Sequence, residues 1–339
     1  MFANARADAE RRDFTVNGLF FDPITKQLHD WVGGEADLRA KVIRTIGKPD
    51  ERFGEDHLRL LRAVRFAAQL GFEIEPATFA AIQTHGTKIK LISAERVRDE
   101  LIKLFHPPNA ARGLKLLRAS GLLEHVLPEI AATVTCEQSP DYHPEGSVFN
   151  HLCLMLQQLP KDTHPSLPWA VLLHDVAKPL TASRDEKTGS IHFYEHEKIG
   201  ATMAMEILDR LRFPRKQIEE ISDAVLHHMQ FKDSLQMRKS TLRRMMLRET
   251  FPLELQLHRL DCLGSNGRLD TYDFLVAQSA ELANQPEIRP PLLTGADLIA
   301  LGMKPSKELG ALLNEIREKQ LQDELKTSDE ARDWVKSRL

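Results

Sequence analysis

A helical periodicity that begins near residue 55 limits, more than any other feature, what this chain can fold into. Leu58, Leu61 and Val64 recur at the spacing of one helix face, and the pattern runs through Leu70. Proline-containing breakers separate the segments that follow. We expect further helices at 77–85, 94–105, 109–120, 147–159, 168–177, 195–212, 215–230, 240–249 and 252–264, with two or three short ones in the last segment. The pattern predicts a mainly α chain.

The N-terminal part of the sequence has a shorter period. Residues 14–21 and 27–31 are strand-like, and the turn residues between them predict a hairpin. A short helix is expected after Gly34, and residues 42–46 are a further strand candidate. This part of the chain therefore predicts a small α+β region in front of the helices.

Composition excludes several classes of protein. Cys136, Cys153 and Cys262 are too few and too scattered for a disulfide framework or a thiolate zinc site. Because 46 Lys and Arg residues balance 49 Asp and Glu residues, any surface for nucleic acid must be local. No run approaches about 18 uninterrupted apolar residues. We therefore expect a soluble, cytoplasmic protein with no membrane partner.

Four charged residues at helical spacing form the first candidate site. Asp56 and Arg59 lie three residues apart, so we expect them on one helix face, and Arg62 and Arg65 continue that ridge. One interpretation is a helix whose acidic start complements its dipole and whose arginines face solvent. The other is nucleotide recognition, since a carboxylate beside a guanidinium can match a base edge while further arginines hold a triphosphate. Spacing alone does not decide between them.

Three motifs occur in a fixed order around this ridge. They are the sequence Arg-Arg-Asp-Phe at 11–14 with its continuation to residue 19, Gly33-Gly34 with Asp37-Leu38, and the run at 55–67. In order and spacing they resemble the bacterial CCA-adding tRNA nucleotidyltransferase and poly(A) polymerase family. The segment 93–100 resembles the later neck motif of that family, and the resemblance extends to residue 339.

The resemblance implies a substrate, a partner and a nucleotide site. CTP and ATP would be the nucleotides, tRNA the partner, and Mg²⁺ the cofactor of nucleotidyl transfer. The nucleotide-binding residues that the resemblance implies are Arg12, Asp56, Arg59, Arg62 and Arg65.

One family feature is missing from the given sequence. The Asp-x-Asp pair that holds Mg²⁺ in the family stands upstream of the Arg-Arg-Asp motif, and only ten residues precede Arg11 here. Asp8-Ala9-Glu10 is the acidic triplet nearest to that position, but no strand precedes it. Because metal-assisted displacement needs carboxylates beside the α-phosphate, we expect the given chain to lack transfer activity.

Histidines mark a second candidate site. Eight of the 14 histidines lie between His143 and His228, and His174-Asp175 form an adjacent pair within this stretch. With its flanking residues this pair resembles the HD-domain phosphohydrolase pattern, which implies one divalent metal of unreadable identity. The implied metal ligands are His151, His174, Asp175 and Asp261, with Asp175 and Lys178 as the catalytic residues.

The neighbouring histidines have several possible roles. His196, His227 and His228 could supply a second metal ion or phosphate contacts, and Lys178 could pair with phosphate. His143 and His164 are expected in surface loops, and His192 is expected to lie outside the helix that starts near His196. The structural alternative for the whole set is that these side chains only bridge helices through hydrogen bonds.

A cationic segment precedes the tail. Its members are Lys232, Arg238, Lys239, Arg243, Arg244 and Arg248. The default interpretation is a solvated face, and the functional alternative is contact with an RNA backbone, which needs cations but no base readout.

These patterns predict a four-part chain. Residues 1–47 would be part of a nucleotidyltransferase head, 48–140 a helical neck that binds RNA and nucleotide, 141–265 an HD domain, and 266–339 a helical tail. The function expected is that of a tRNA nucleotidyltransferase-family protein. The alternatives are an HD-type phosphatase or cyclic phosphodiesterase, and a non-catalytic tRNA-binding protein.

The purified 339-residue chain should not add nucleotides to tRNA, because the carboxylate pair that positions Mg²⁺ at the α-phosphate is missing from it. Incubation with tRNA that lacks its CCA end, labelled CTP and Mg²⁺ tests this expectation. Incorporation above the level of an enzyme-free control would contradict it.

Overall fold

Two structural units make up the chain. The computed structural model describes residues 4–140, 143–285, 288 and 290–338. The first unit comprises Met1–His228 and Arg259–Gly267, and the second comprises Met229–His258 and Arg268–Leu339. The structure is mainly helical, as the sequence predicts.

Short elements alternate at the start of the first unit. They are α1 (Ala5–Glu10), a 3-10 turn (Thr15–Asn17), β1 (Phe20–Phe21), β2 (Leu28–His29), α2 (Gly34–Ala40) and β3 (Val42–Ile43). β1 and β2 are antiparallel, so the predicted hairpin is confirmed. β3 pairs in parallel with β4 (Glu73–Ile74), which confirms the first two residues of the predicted strand at 42–46.

The predicted strand at 14–21 is wrong for most of its length. Asp13 Oδ1 accepts hydrogen bonds from the backbone N–H of Phe14 at 3.0 Å and from the side-chain amide of Asn17 at 2.8 Å. The Thr15 hydroxyl donates to Asp37 Oδ2 at 2.7 Å. Because the two local bonds of Asp13 compete with a β ladder, the backbone turns here instead of extending, and the Thr15 bond to α2 holds the turn in place.

The helix that the sequence predicts from residue 55 through Leu70 is present but begins only at Arg59, and a separate helix ends at Glu55. α3 (Pro49–Glu55) ends at Asp56, whose backbone is extended (φ −150°, ψ 107°), and α4 (Arg59–Leu70) begins three residues later. Asp56 Oδ1 accepts a hydrogen bond from the backbone N–H of Leu58 at 3.1 Å, which satisfies a donor near the start of α4. Asp56 and Arg59 therefore do not share a helix face, and that expectation is wrong.

The first unit continues as helices. They are α5 (Pro76–His85), a 3-10 helix (Gly86–Leu91), α6 (Ala94–Leu104), α7 (Ala110–Ala119), α8 (Leu123–Val126), α9 (Pro128–Ala132) and a 3-10 turn (Thr133–Thr135). α4 packs against α6 and α7 through its buried face, which includes Leu60, Leu61 and Val64.

The histidine-rich stretch forms the remainder of the first unit. Its elements are α10 (Val148–Gln157), α11 (Leu167–Leu173), α12 (Lys178–Thr181), the antiparallel pair β5 (Ala182–Arg184) and β6 (Ile191–Phe193), α13 (His196–Arg210), α14 (Arg215–His227) and the end of α16 (Phe251–Gly264). α13 packs against α14, and α11 packs against both α10 and α14. Trp169 of α11 lies edge to face with Phe105 and Phe213 at centroid distances of 5.7 and 4.7 Å, which anchors α11 in the core.

The second unit is also helical. Its elements are most of a 3-10 helix (His228–Gln236), α15 (Lys239–Met246), the start of α16, α17 (Asp270–Ala283), α18 (Gly295–Ala300), α19 (Lys307–Leu321) and α20 (Ser328–Lys336). One apolar cluster forms around Phe231, Phe251 and Leu275, and a second forms around Leu298 and Ile316. No described helix is long and apolar enough to cross a bilayer.

Most cations of the segment 232–248 are held within the second unit. Arg243 is buried, and its guanidinium contacts Asp323 at 2.6 Å, the Leu321 carbonyl and the Gln285 side chain. The other ion pairs are Lys239 with Asp323, Arg244 with Glu318 and Arg248 with Glu254. The expectation of a uniformly solvated face is wrong for Arg243, because its charge is used to connect helices.

A buried ion-pair network joins α4 to α6 and to the start of the chain. Arg65 Nε donates to Glu100 Oε2 at 2.6 Å, and both side chains are less than a tenth exposed. Arg62 Nε donates to Asp13 Oδ2 at 2.7 Å and lies 3.9 Å from Glu100. Each buried carboxylate in this network has a guanidinium partner, which offsets the cost of taking it out of water.

The network predicts a large cost for removing Glu100. Glu100→Ala leaves the Arg65 guanidinium buried without its carboxylate, and the free energy of unfolding should fall by about 3–5 kcal/mol. Urea unfolding followed by circular dichroism measures the change.

Glu95→Ala, on the exposed side of the same helix, is the matched control and should change the free energy by less than about 0.5 kcal/mol. Equal effects of the two substitutions would contradict the role assigned to Glu100.

Candidate functional site

A polar cavity of about 570 Å³ lies between the N-terminal segment and α4. Its lining is rich in arginine and aspartate: Arg12, Asp13, Asn17, Asp56, Leu58, Arg59, Arg62, Phe66 and Arg96. Four of the five residues predicted for nucleotide binding therefore line one cavity, which we call the neck cavity.

The guanidinium groups of Arg12 and Arg62 are fixed by neighbouring acceptors. Arg12 donates to Asp8 Oδ2 and to the carbonyl of Asn17 at 2.9 Å, and it stacks over the Phe20 ring. Arg62 is bound to Asp13 at 2.7 Å and is about a third exposed. Both arginines keep donors available, since each guanidinium carries five N–H groups.

Asp56 and Arg59 reach the cavity from different elements. Asp56 Oδ2 accepts a hydrogen bond from Arg96 of α6 at 2.7 Å. Burial opposes ionisation of Asp56, but the Arg96 bond and the Leu58 amide lower its pKa. Arg59 is held by Glu55 at 2.5 Å and donates to the backbone carbonyls of Arg52 and Arg11 at 3.0 and 3.2 Å, so its position is fixed before any ligand arrives.

Arg65 does not line the neck cavity in this structure. It is buried against Glu100 and also donates to Gln69 Oε1 at 2.8 Å. Its role in nucleotide binding stays a prediction. Arg96 and Asn17 line the cavity although the sequence did not single them out for it.

The neck cavity contains no group of three metal-ligating side chains among the described residues. The three such groups that these residues form all lie elsewhere in the first unit. The carboxylates nearest the cavity are occupied by arginines: Asp8 by Arg11 and Arg12, Asp13 by Arg62, and Asp56 by Arg96. The described residues therefore do not fit the Mg²⁺ that transfer chemistry needs at this place.

A second site is built around the buried carboxylate of Asp175. His151, on α10, and His174, at the end of α11, have ligand atoms that lie with those of Asp175 within 4.8 Å of one another. His174 Nε2 lies 3.2 Å from Asp175 Oδ2. All three side chains are almost completely buried. The structure thus brings together three of the four predicted ligands, and their role as metal ligands stays a prediction.

The other oxygen of Asp175 faces two further histidines. His196 Nε2 is 3.4 Å and His228 Nε2 is 3.9 Å from Asp175 Oδ1, and the three residues form a second group with ligand atoms within 4.8 Å. His227 is the half-buried last residue of α14 and belongs to neither group. Asp175 thus lies between two histidine pairs.

Backbone carbonyls orient three of these imidazoles. The Nδ1 atoms of His174, His196 and His228 lie 2.9, 2.7 and 2.6 Å from the carbonyls of Val171, Phe193 and Val225. Since a carbonyl only accepts, each Nδ1 carries the proton and each Nε2 is directed into the cluster. In metal sites this same bond selects the imidazole tautomer that leaves a nitrogen lone pair for the metal.

Protons are unevenly distributed in the second group. His196 Nε2 and His228 Nε2 are 3.2 Å apart, so one must donate to the other. Burial lowers the pKa of His228 to about 3, with the charge of His174 adding to the effect. Burial also opposes charge on His196, but its bond to Asp175 raises the pKa. His196 is therefore the donor, and His228 offers a lone pair.

Asp175 remains ionised although it is buried. Burial opposes its charge, but His174 and Lys178 hold the pKa of this carboxyl well below its usual range. Lys178 Nζ lies 2.7 Å from Asp175 Oδ2 and 2.6 Å from Gln138 Oε1, and the lysine is itself buried. Asp175 and Gln138 thus fix the position of the Lys178 ammonium group, and its contact with phosphate stays a prediction.

Two acidic residues flank His151. Its Nε2 is bound to Asp261 Oδ1 at 3.0 Å, and its Nδ1 lies 2.7 Å from Glu145 Oε1. Burial opposes a charge on His151, but these two carboxylates raise its pKa to about 9. His151 and Asp261 therefore meet as predicted, 110 residues apart in sequence.

Glu145, His143 and Gln138 were not predicted as parts of this site. His143 Nδ1 is 2.9 Å from Glu145 Oε1, and the two residues form a third group with His151. The expectation that His143 is a surface residue is wrong, because Glu145 holds it against the His151 ring at a centroid distance of 4.9 Å. His164 is exposed and His192 lies on β6, outside α13, as predicted.

The side chains around Asp175 fit a divalent metal. His174 Nε2 is buried and makes no hydrogen bond among the described residues, and it lies 3.2 Å from Asp175 Oδ2, an oxygen that is already ion-paired with Lys178. A buried polar atom without a partner costs free energy, and coordination would remove that cost. Imidazole and carboxylate donors together suit several divalent transition metals, so they do not identify the ion.

Three domain families match successive parts of the chain. The poly A polymerase head domain matches residues 1–44, the probable RNA- and SrmB-binding site of polymerase A matches residues 71–133, and the HD domain matches residues 150–256. The chain thus combines matches to a polymerase head domain, an RNA-binding region and an HD domain in that order.

Relatives specify the class further. The A-adding tRNA nucleotidyltransferase of Deinococcus radiodurans is 36% identical over 350 residues, covering 98% of this chain and 79% of that protein. The CC-adding tRNA nucleotidyltransferase of Thermus thermophilus is 33% identical, covering 97% and 76%. The chain therefore belongs to the tRNA nucleotidyltransferase family.

A solved structure confirms the fold. The CCA-adding enzyme of Bacillus stearothermophilus, solved with CTP, matches with a TM-score of 0.74 at 22% sequence identity, and the match covers 100% of this chain and 75% of that one. The CCA-adding enzyme of Thermotoga maritima, solved with tRNA, matches with a TM-score of 0.51 at 20% identity, over 98% of this chain and 74% of that one.

Proposed function

We propose that this chain, as a member of the family that adds C and A to tRNA 3′ ends, binds CTP or ATP in the neck cavity and tRNA as its partner, and that the given chain does not itself carry out the transfer. The observation that carries the proposal is the meeting of Arg12, Asp56, Arg59 and Arg62 around one cavity. The names of the relatives support tRNA as the partner. The four-part division at residues 47, 140 and 265 remains part of this proposal.

Within the cavity the residues divide by chemistry. Asp56 offers an acceptor and Arg59 offers donors in a fixed position, which is the combination needed to read the edge of a base. Arg12 and Arg62 have partly exposed guanidinium groups, which suit the oxygens of a triphosphate. Arg96 holds Asp56 ionised, so the acceptor is charged before nucleotide binds.

A second function is favoured by the cluster around Asp175. We propose that it binds a divalent metal through His151, His174, Asp175 and Asp261 and hydrolyses phosphate esters. His196 and His228 would hold a second ion or contact phosphate, and we retain His227 as a more distant candidate. The observation behind this proposal is the buried His174 Nε2, which makes no hydrogen bond among the described residues and faces Asp175 Oδ2 at 3.2 Å.

The chain's own groups set the conditions for that chemistry. A bound divalent ion would lower the pKa of a coordinated water. Glu145 can accept a hydrogen bond from Nδ1–H of His151, so a metal that displaced the Nε2 proton shared with Asp261 would meet an imidazole whose tautomer is already set. Lys178 balances part of the charge of Asp175 and fixes its orientation.

Arg59→Ala should weaken binding of CTP and ATP by about 10- to 150-fold, because a charged donor to the base edge is lost. Affinity for tRNA lacking its CCA end should change less than about twofold, since Arg59 lies in the cavity. Isothermal titration measures nucleotide binding and filter binding measures tRNA affinity.

Arg39→Ala is the matched control, since Arg39 is an exposed arginine of α2 outside the cavity. Thermal melts of both variants separate loss of binding from loss of folding. An equal loss of tRNA affinity in Arg59→Ala would place this arginine on the RNA surface instead.

Asp175→Ala should abolish both metal binding and phosphate ester hydrolysis, because Asp175 supplies the charge that balances the ion. Elemental analysis after dialysis against Mn²⁺ or Ni²⁺ measures the metal. Bis-p-nitrophenyl phosphate and 2′,3′-cyclic AMP are the substrates for the activity assay.

Asp175→Asn tests the same charge at almost unchanged volume, and Asp209→Ala, an exposed carboxylate on α13, is the control. Wild-type protein that takes up no metal, or an Asp175 variant that keeps both metal and activity, would refute the site.

A further inference from the structure

Gln138 is a buried amide beside the Asp175 cluster that no part of the proposed chemistry uses. Its side chain is 4% exposed. The backbone N–H of Gln138 donates to the Gly146 carbonyl at 3.2 Å, and the neighbouring Glu137 forms a β-bridge with Ser147. This pairing holds Gln138 next to the start of α10, the helix that carries His151.

The orientation of the Gln138 amide is determined by its neighbour. Its Oε1 lies 2.6 Å from Lys178 Nζ, and a lysine ammonium can only donate. The oxygen must therefore face Lys178, so the Nε2 group, with two hydrogens, is turned away from it. Nε2 is buried and has no hydrogen-bond partner among the described residues.

A buried donor without a partner is costly, so its retention points to a ligand that supplies an acceptor. Lys178 connects Gln138 to Asp175, and its Nζ also lies 5.3 Å from the centre of the Phe193 ring. These contacts fix the ammonium group beside the amide. A fixed ammonium and a free amide N–H₂ next to a candidate metal group match the negatively charged oxygens of a phosphoryl group.

We propose that Gln138 is a substrate-contacting residue of the Asp175 site, and that its Nε2 donates to a phosphoryl oxygen of the bound phosphate ester while Lys178 contacts the same group. The proposal rests on the phosphohydrolase function proposed above. It extends that function from a metal site to a specific contact with the phosphate.

Gln138→Glu is the sharpest test. It keeps an oxygen toward Lys178 and replaces only the N–H₂ donor with a second acceptor. Gln138→Leu removes the donor without adding charge. Gln158→Glu, at the exposed end of α10, is the matched control for the charge change.

The probes are inorganic phosphate, measured by isothermal titration against Mn²⁺-loaded protein, and bis-p-nitrophenyl phosphate hydrolysis. Both Gln138 variants should bind phosphate at least about 10-fold more weakly and show a raised KM, because a hydrogen bond to a charged group is lost. Manganese content should equal that of wild type, and Gln158→Glu should behave as wild type.

Unchanged phosphate affinity in both variants would overturn the proposal and indicate that a buried water satisfies the amide. Loss of manganese in Gln138→Leu would also overturn it, since Gln138 would then act by positioning Lys178 and Asp175. If wild-type protein takes up no metal, the proposed hydrolase fails separately. In that case phosphate binding is measured with the metal-free protein. Weaker binding by the Gln138 variants would support the Gln138 contact, and unchanged binding would contradict it.

Discussion

The histidine-rich part of the structure depends on the ionised carboxylate of Asp175, which is enclosed by side chains from α10 to α14. A buried carboxylate without opposite charge would be strongly unfavourable. Lys178 and His196 supply that charge, and the ends of α11 and α14 bring His174 and His228 to the same place. The helices around Asp175 are therefore held by one electrostatic centre as well as by the core around Trp169.

In the neck cavity, by contrast, arginines surround carboxylates, of which some are buried and one is partly exposed. Asp13 and Glu100 are buried and form ion pairs with Arg62 and Arg65 of α4. Asp56 and its partner Arg96 are partly exposed to solvent. The buried ion pairs contribute to folding. The exposed pair of Asp56 and Arg96 is screened by solvent, so its side chains can exchange partners at small cost in free energy. Arg65 belongs to the buried pairs. It therefore contacts Glu100 inside the fold and not the cavity, although it follows Arg59 and Arg62 at the same spacing in sequence.

The sequence predicted the features that follow from the spacing of apolar residues and from the order of motifs. It did not predict contacts between residues that are far apart in the chain. The helices follow from apolar spacing, and His151, His174, Asp175 and Asp261 follow from the order of a family motif. Glu145 and Gln138 could not be found this way, since Gln138 meets Lys178 across 40 residues of sequence. The break at Asp56 was missed although an Asp that bonds the second amide after it is a known helix-start signal. His143 was assigned to the surface because loop residues usually lie there.

The two sites of the first unit differ in how their positive charge can change. Arginine keeps its proton at any pH where the protein is folded, so the neck cavity has a constant positive lining suited to phosphates. Histidine can exchange a proton for a metal ion near neutral pH, so the charge around Asp175 can be supplied by either. A carboxylate enclosed by histidines can therefore accept a metal in place of protons without rebuilding the fold. A carboxylate enclosed by arginines cannot, which is why the described carboxylates of the neck cavity do not form a metal site in this arrangement.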